Sequence, residues 1–221
     1  MPSLEQAKAW YSVTDPVHGY DHIVRVYDLS QRIARLEGAD LRIVGTAALL
    51  HDVGGEQTIT GRPTLNAELS HSRFTHHMAA TEFAGEILST EGWNGDDIQA
   101  VQHCIRAHRF RDLSEQPGTL EAQVLFDADK LDAIGAIGVA RAIAYAARAG
   151  IPAYCQPSQI FLATGKLEAG ELHSAYHEYL FKLAKISSRL YTTTGKVLAE
   201  KRHQEMATFF DQLEVEMLGE A

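Results

Sequence analysis

Ala47-Ala48-Leu49-Leu50-His51-Asp52-Val53-Gly54-Gly55 ends an apolar run on two side chains that bind metal ions. On helical spacing Val44, Ala47 and Ala48 fall on the same side as His51, which delivers the imidazole into the interior and sets Asp52 about 100° further round the axis. A histidine and a carboxylate at one helix end can share a cation. With 11 histidines and 12 aspartates in 221 residues, chance alone supplies about 0.6 such dipeptides. The pair therefore carries weight only if other donors converge on it.

Upstream, His22, Val26, Leu29, Ile33 and Leu36 are spaced for one helix face, so His22 heads an apolar stripe, with Asp21 near the helix start and Gly38 at its end. A short helix over residues 4–13 and the turn-like Asp15-Pro16-Val17-His18-Gly19-Tyr20 precede it. Asp40 is placed to cap the helix from Leu41 to about Val53. From Gly54 to Thr75 periodicity disappears among Gly54, Gly55, Gly61 and Pro63, and this stretch, with His71 and Arg73, is expected to be an irregular loop. Starting directly after the candidate ligands, it is placed as a rim or lid over them, or is simply irregular.

Further along, a helix is expected from about Thr75 to Thr90, buried through Ala79, Ala80, Phe83, Ala84, Ile87 and Leu88, with His76 and His77 at its beginning. Another covers roughly Asp96 to His108, where Ile98, Val101 and Ile105 lead to His108, the third meeting of an apolar stripe with a histidine. Cys104 reads as a small buried hydrophobe rather than a nucleophile, since no base is assigned to it. Arg106, Arg109 and Arg111 form a basic face that is solvated or meets phosphate. Leu120 to Arg148 makes two helical stretches broken near Gly135 and Gly138, and contains Asp127-Ala128-Asp129-Lys130-Leu131-Asp132. Residues two apart on a helix point to nearly opposite sides, so Asp127 and Asp129 are not expected to share one ion. Periodicity favours Asp127, in line with Val124, Leu131 and Ile134. Gly150 to Gly170 reads as a long connection with Tyr154 and Phe161. Two helices finish the chain, one marked by Tyr176, Leu180, Leu183 and Leu190, the other following Thr194 with Leu198, Met206, Phe209, Leu213 and Met217. No strand-like alternation of useful length occurs, so the expected class is all-α, with helices around a central metal site.

Composition bounds the function. A formal charge of −9, from 20 basic and 29 acidic residues, disfavours binding to duplex nucleic acid but leaves room for small anionic ligands met by local cations or a metal. Two cysteines, Cys104 and Cys155, and a start without the apolar core of a signal peptide point to the cytoplasm. No apolar run approaches the ~18 residues of a membrane span. The length fits one compact domain over residues 1–221, with residues 170–221 as C-terminal helices packed on its core, and a monomer or homodimer is expected.

The order His22, then His51-Asp52, then an aspartate in Asp127 to Asp132 resembles the HD superfamily of metal-dependent phosphohydrolases. The likeness extends through His22-Ile23-Val24-Arg25-Val26, Ala48 to Val53, Asp127 to Arg141 and the helix Thr194 to Glu216, which all look like a bacterial branch of small single-domain HD hydrolases. The resemblance implies an HD-domain helical bundle and one divalent ion held by His22, His51, Asp52 and one later aspartate. Against the periodicity, it points to Asp129, because the family's ligand is followed by a bulky helical continuation like Lys130-Leu131-Asp132. Similar nucleotide triphosphohydrolases place a basic residue after the last ligand and a histidine after a threonine, which match Lys130 and His76; with His108 these are the candidate catalytic groups. The Gly-Tyr-Pro signature of the cyclic-dinucleotide-cleaving branch is missing. Two His and two carboxylates suit Mn²⁺, Fe²⁺, Co²⁺, Ni²⁺ or Mg²⁺. The implied substrate is a small phosphorylated molecule, preferably a nucleotide, cleaved for example from triphosphate to monophosphate and pyrophosphate. A different class is a metal- or nucleotide-binding sensor without catalysis, which tight binding without product would reveal.

Overall fold

Helix α3 (Leu41–Leu50) is apolar on all sides, and every residue from Ile43 to Leu50 is buried, as expected of a helix through the middle of a core rather than on its surface. The computed structural model describes residues 1–11, 15, 17–53, 76–109 and 115–220, with the backbone alone for residues 76 and 77. Among these the secondary structure is helical, without strands. The chain divides into two compact units, Met1–Asp129 with Tyr191–Thr194, and Lys130–Leu190 with Gly195–Ala221.

In the first unit α3 packs against α2 (Tyr20–Glu37) and α5 (Gly95–Ala107); α5 pairs with α4 (His76–Thr90), and α1 (Leu4–Lys8) touches α2 and α3. Asp40 starts α3 as its spacing predicts, its carboxylate accepting from the Arg42 and Ile43 N–H groups. That satisfies two donors that a helix start leaves open. At Gly45 the neighbouring helix comes so close that a Cβ would lie 2.7 Å from Gln31 Nε2 and 3.1 Å from the Tyr27 ring. The missing side chain there lets the helix that carries His22 lie against the helix that leads to His51.

α6 (Leu120–Asp132) ends before Gly135, whose φ of +76° is open to glycine at little cost. Two arginines satisfy the last carbonyls of α6: Arg141 donates to the Asp132 carbonyl and carboxylate, and Arg202 to the Leu131 carbonyl. α7 (Gly135–Arg148) packs on α9 (Ala175–Phe181), and α10 runs from Thr193 to Met217.

Three details differ from the sequence reading. The first helix stops at Lys8, short of residue 13. The connection from Gly150 to Gly170 contains α8 (Gln159–Thr164), capped by the Ser158 hydroxyl and closed at Gly165. The helix expected from Tyr176 to Leu190 is α9 followed by two 3-10 turns, Leu183–Lys185 and Ser187–Arg189, because Lys182 leaves helical geometry with φ −125°. The loop expected over Gly54 to Thr75, with His71 and Arg73, lies outside the described residues, as does Arg111.

Candidate metal centre

Two histidines in the first unit are set by the same local device. His51 is the C-cap of α3 and His108 the C-cap of α5, and each ring bonds through Nδ1 to the carbonyl three residues back, Ala48 for His51 at 2.9 Å and Ile105 for His108. A carbonyl only accepts, so Nδ1 carries the proton in both rings and each Nε2 presents a lone pair. The His51 Nε2 is buried and has no hydrogen-bond partner among the described residues. A buried polar atom in that state costs stability unless something else binds it.

His22, near the start of α2, brings a third ring, 5.6 Å centroid to centroid from His51. Asp52 Oδ2 lies 3.6 Å from both His22 Nε2 and His51 Nε2, while Asp129 Oδ1 lies 3.6 Å from His22 Nε2. The donor atoms of His22, His51 and Asp129 all fall within 4.8 Å of one another. Separations of 3.6 Å are too long for hydrogen bonds. With bonds of about 2.1 Å, donors around a single cation stand roughly 3 to 4 Å apart, so the spacing fits an ion between them. His108 stands beside this set, its Nε2 3.7 Å from Asp52 Oδ1 and its ring 5.1 Å from that of His51.

The electrostatics agree with a cation-binding form. Burial lowers the His51 pKa from 6.5 to about 4 against the pull of Asp52 and Asp129, so the ring is neutral near pH 7. Burial pushes the Asp52 carboxyl up, but the His51 imidazole, with His108 and His22 beside it, holds it well below the usual range. A neutral imidazole and an ionised carboxylate are the protonation states that bind divalent metals.

Asp127 faces the interior, where periodicity put it, but its carboxylate is engaged elsewhere. It accepts from the Tyr191 N–H at 2.9 Å and from the Thr192 N–H and hydroxyl at 2.7 and 2.6 Å. Asp127 thereby ties the segment Tyr191–Thr194 to α6, and the alternation along the helix leaves Asp129 facing His22. Lys130 follows on α6 and is buried. His76 begins α4, and its side chain lies outside the described residues. Arg106 is committed to Glu115, which His103 also engages. Cys104 is buried, which pushes its thiol up to about 12, as befits a core residue. The sequence reading missed Tyr11, whose hydroxyl reaches the end of α3; no local signal marks a residue whose partner is 38 positions away.

Comparisons with known proteins identify the family. The chain matches the HD domain family over residues 19–134. It is 33% identical to the Bacillus subtilis protein YpgQ, across 99% of this chain and 96% of that one. The crystal structure of YpgQ in complex with ADP superposes with a TM-score of 0.71 at 32% identity, covering 99% of this chain and all of that one. A Lactobacillus plantarum structure gives 0.74 at 29% identity over 98% and 95% of the two chains. An HD-superfamily hydrolase from Bacillus thuringiensis gives 0.60 at 26% identity over 90% and 85%. The chain belongs to the HD domain family.

Proposed function

We propose that this protein is a divalent-metal-dependent phosphohydrolase acting on nucleotides. The observation that carries the reading is the donor set itself, two imidazoles and two carboxylates about 3.6 Å apart, with a buried His51 lone pair that nothing among the described residues satisfies. His22, His51, Asp52 and Asp129 would hold the ion. When bound, a divalent ion acidifies a coordinated water and draws charge from phosphoryl oxygens. His108 offers a proton-accepting Nε2 beside the donors, 3.7 Å from Asp52 Oδ1 and fixed in that tautomer by Ile105. Lys130 and His76 would neutralise charge on the phosphate oxygens as the bond to the leaving group breaks. The nucleotide preference draws on YpgQ, whose structure was obtained with ADP. Cleavage of a nucleoside triphosphate to monophosphate and pyrophosphate is the favoured reaction, in the cytoplasm; no helix among the described residues is long and apolar enough to cross a membrane.

The test is metal analysis of the purified protein followed by a nucleotide panel under Mn²⁺, Fe²⁺, Co²⁺, Ni²⁺ and Mg²⁺, scoring phosphate and pyrophosphate separately. Turnover that chelation abolishes and one of these ions restores supports the reading. Full turnover in chelator with no residual metal overturns it, and tight nucleotide binding without product makes the protein a sensor instead.

A further inference from the structure

Asp52 stands just beyond the regular part of α3, where nothing in the helix ladder fixes it. The chain tightens there, the Val53 N–H reaching the Leu50 carbonyl at 3.3 Å, an i to i+3 bond of 3-10 type. In a continuing α-helix that N–H would bond to Leu49. The Leu49 carbonyl is bonded from another part of the chain: the Tyr11 hydroxyl donates to it at 2.8 Å. One side chain thus holds the carbonyl at which the corner that turns His51 and Asp52 towards His22 begins.

The segment that presents Tyr11 is firmly held. Ser3 and Gln6 cap α1 reciprocally, the Tyr20 hydroxyl donates to the Leu4 carbonyl, and Trp10 meets Phe83 edge-on at 5.4 Å. Leu4, Trp10, Tyr11, Tyr20 and Tyr27 pack round Ala7, Ile23 and Leu49. The ring of Tyr11 therefore belongs to a core cluster that includes Leu49, whereas its oxygen bonds to the Leu49 backbone at the corner.

We propose that Tyr11 is a positioning residue for the metal centre, its hydroxyl holding the Leu49 to Asp52 corner so that His51 and Asp52 converge on one ion. This rests on the metal-dependent reading above. The geometry separates two roles in one side chain: the ring stabilises the fold, and the hydroxyl sets the donors. Losing the hydroxyl leaves all four donor residues in place and lets the corner relax, which lowers metal affinity as the loss of other ligand-orienting groups does.

The experiment is a Co²⁺ titration of the metal-free protein, in which visible absorption reports both affinity and the geometry round the ion, on the wild type, Tyr11→Phe and Trp10→Leu. Trp10→Leu loosens the same cluster without touching the hydroxyl, and melting temperatures of the metal-free proteins show how far each variant is destabilised. The expected result is that Tyr11→Phe binds Co²⁺ on the order of ten- to a hundredfold more weakly with an altered spectrum, while Trp10→Leu, destabilised at least as much, keeps wild-type affinity and spectrum. Unchanged binding in Tyr11→Phe overturns the proposal. Equal weakening in both variants, or a Tyr11→Phe protein that does not fold, assigns the side chain to packing and overturns it as well. A folded wild type that binds no divalent ion would remove the metal reading itself, and this proposal with it.

Discussion

Around Glu171 every group closes on a partner. One carboxylate oxygen accepts from the Ser158 N–H at 2.7 Å and from His177 Nε2 at 3.0 Å, the other from the Ser158 hydroxyl at 2.8 Å and the Glu168 N–H at 2.7 Å, and the far side of the His177 ring meets the Ser174 hydroxyl at 2.7 Å. Around Asp52 the same residue types stop short of one another. Among the described residues the nearest imidazole nitrogens stand 3.6 to 3.7 Å from its oxygens, and the His51 Nε2 has no hydrogen-bond partner. Both clusters combine buried histidine with carboxylate, so residue type does not distinguish them; satisfaction does. A network closed at hydrogen-bond length has no unmet donor or acceptor and serves the fold, whereas donors held apart at ligand spacing need a cation to justify their burial.

The largest effect that tests this contrast is the loss of a metal donor. His51→Ala and Asp129→Asn are each expected to lose most bound metal and to lower hydrolysis on the order of a thousandfold or more, because in the proposed reaction the ion would supply the nucleophile. Metal analysis beside turnover checks both. The metal-dependent rise in melting temperature should shrink with them, since binding free energy favours the folded state. Either variant keeping full metal content would remove its residue from the ligand set. Next come Lys130→Ala and His76→Ala, which should keep metal and lose on the order of tenfold to a thousandfold in turnover if they stabilise charge on the phosphate. Wild-type kinetics in both would return these residues to a structural role.

Asp127→Asn gives a third, smaller effect of a different kind. It is expected to retain the ion but replaces a carboxylate that accepts three hydrogen bonds by an amide whose NH₂ faces a donor, at a cost of about 2–3 kcal/mol in stability. Denaturant unfolding of the metal-free protein measures it. If Asp127→Asn emptied the site while Asp129→Asn kept the ion, the assignment along α6 would be two residues out of register.

The same pair of aspartates shows how far the sequence could be read. Helical periodicity says which way a side chain points, and it pointed Asp127 inward, where it is; it cannot say that Thr192, 65 positions on, is the group waiting there. Helix ends were legible because their signals are local: Asp40 before α3, Gly38 after α2, the break at Gly135. The Ser158 and Gly165 that bound α8 carry equally local signals, yet six residues give no periodicity to notice. His51 and His108 stand out in sequence as histidines ending apolar stripes, whereas the shared bond to the carbonyl three residues back, which sets their tautomers, becomes visible only in three dimensions. The Glu171 network was not legible at all, because its acceptor and donors come from the start of α8, the connection after it and the start of α9.

The last effects are in acid, and the two clusters separate there by pH window. His51 has its pKa lowered to about 4 by burial, so on acidification from 6.5 the unfolded chain takes up a proton that the folded ring refuses. Metal-free protein therefore loses stability as pH falls from about 6.5 to about 4. Glu171 works lower. Burial raises its pKa, but the Ser158 and Glu168 N–H groups, His177 and the Ser158 hydroxyl outweigh that and lower it from 4.5 to about 2; its contribution is complete above 4.5 and is lost as pH falls towards 2. Glu171→Gln should accordingly flatten the stability profile between about 4.5 and 2 while leaving the upper window, metal content and turnover unchanged. His51→Ala should flatten the upper window and leave the lower one. Unfolding curves of the metal-free wild type and both variants, taken at half-unit steps from pH 7 to pH 2, decide the matter. If Glu171→Gln altered the upper window or metal binding, the two clusters would be coupled, and the separation between a satisfied network and an open donor set would fail.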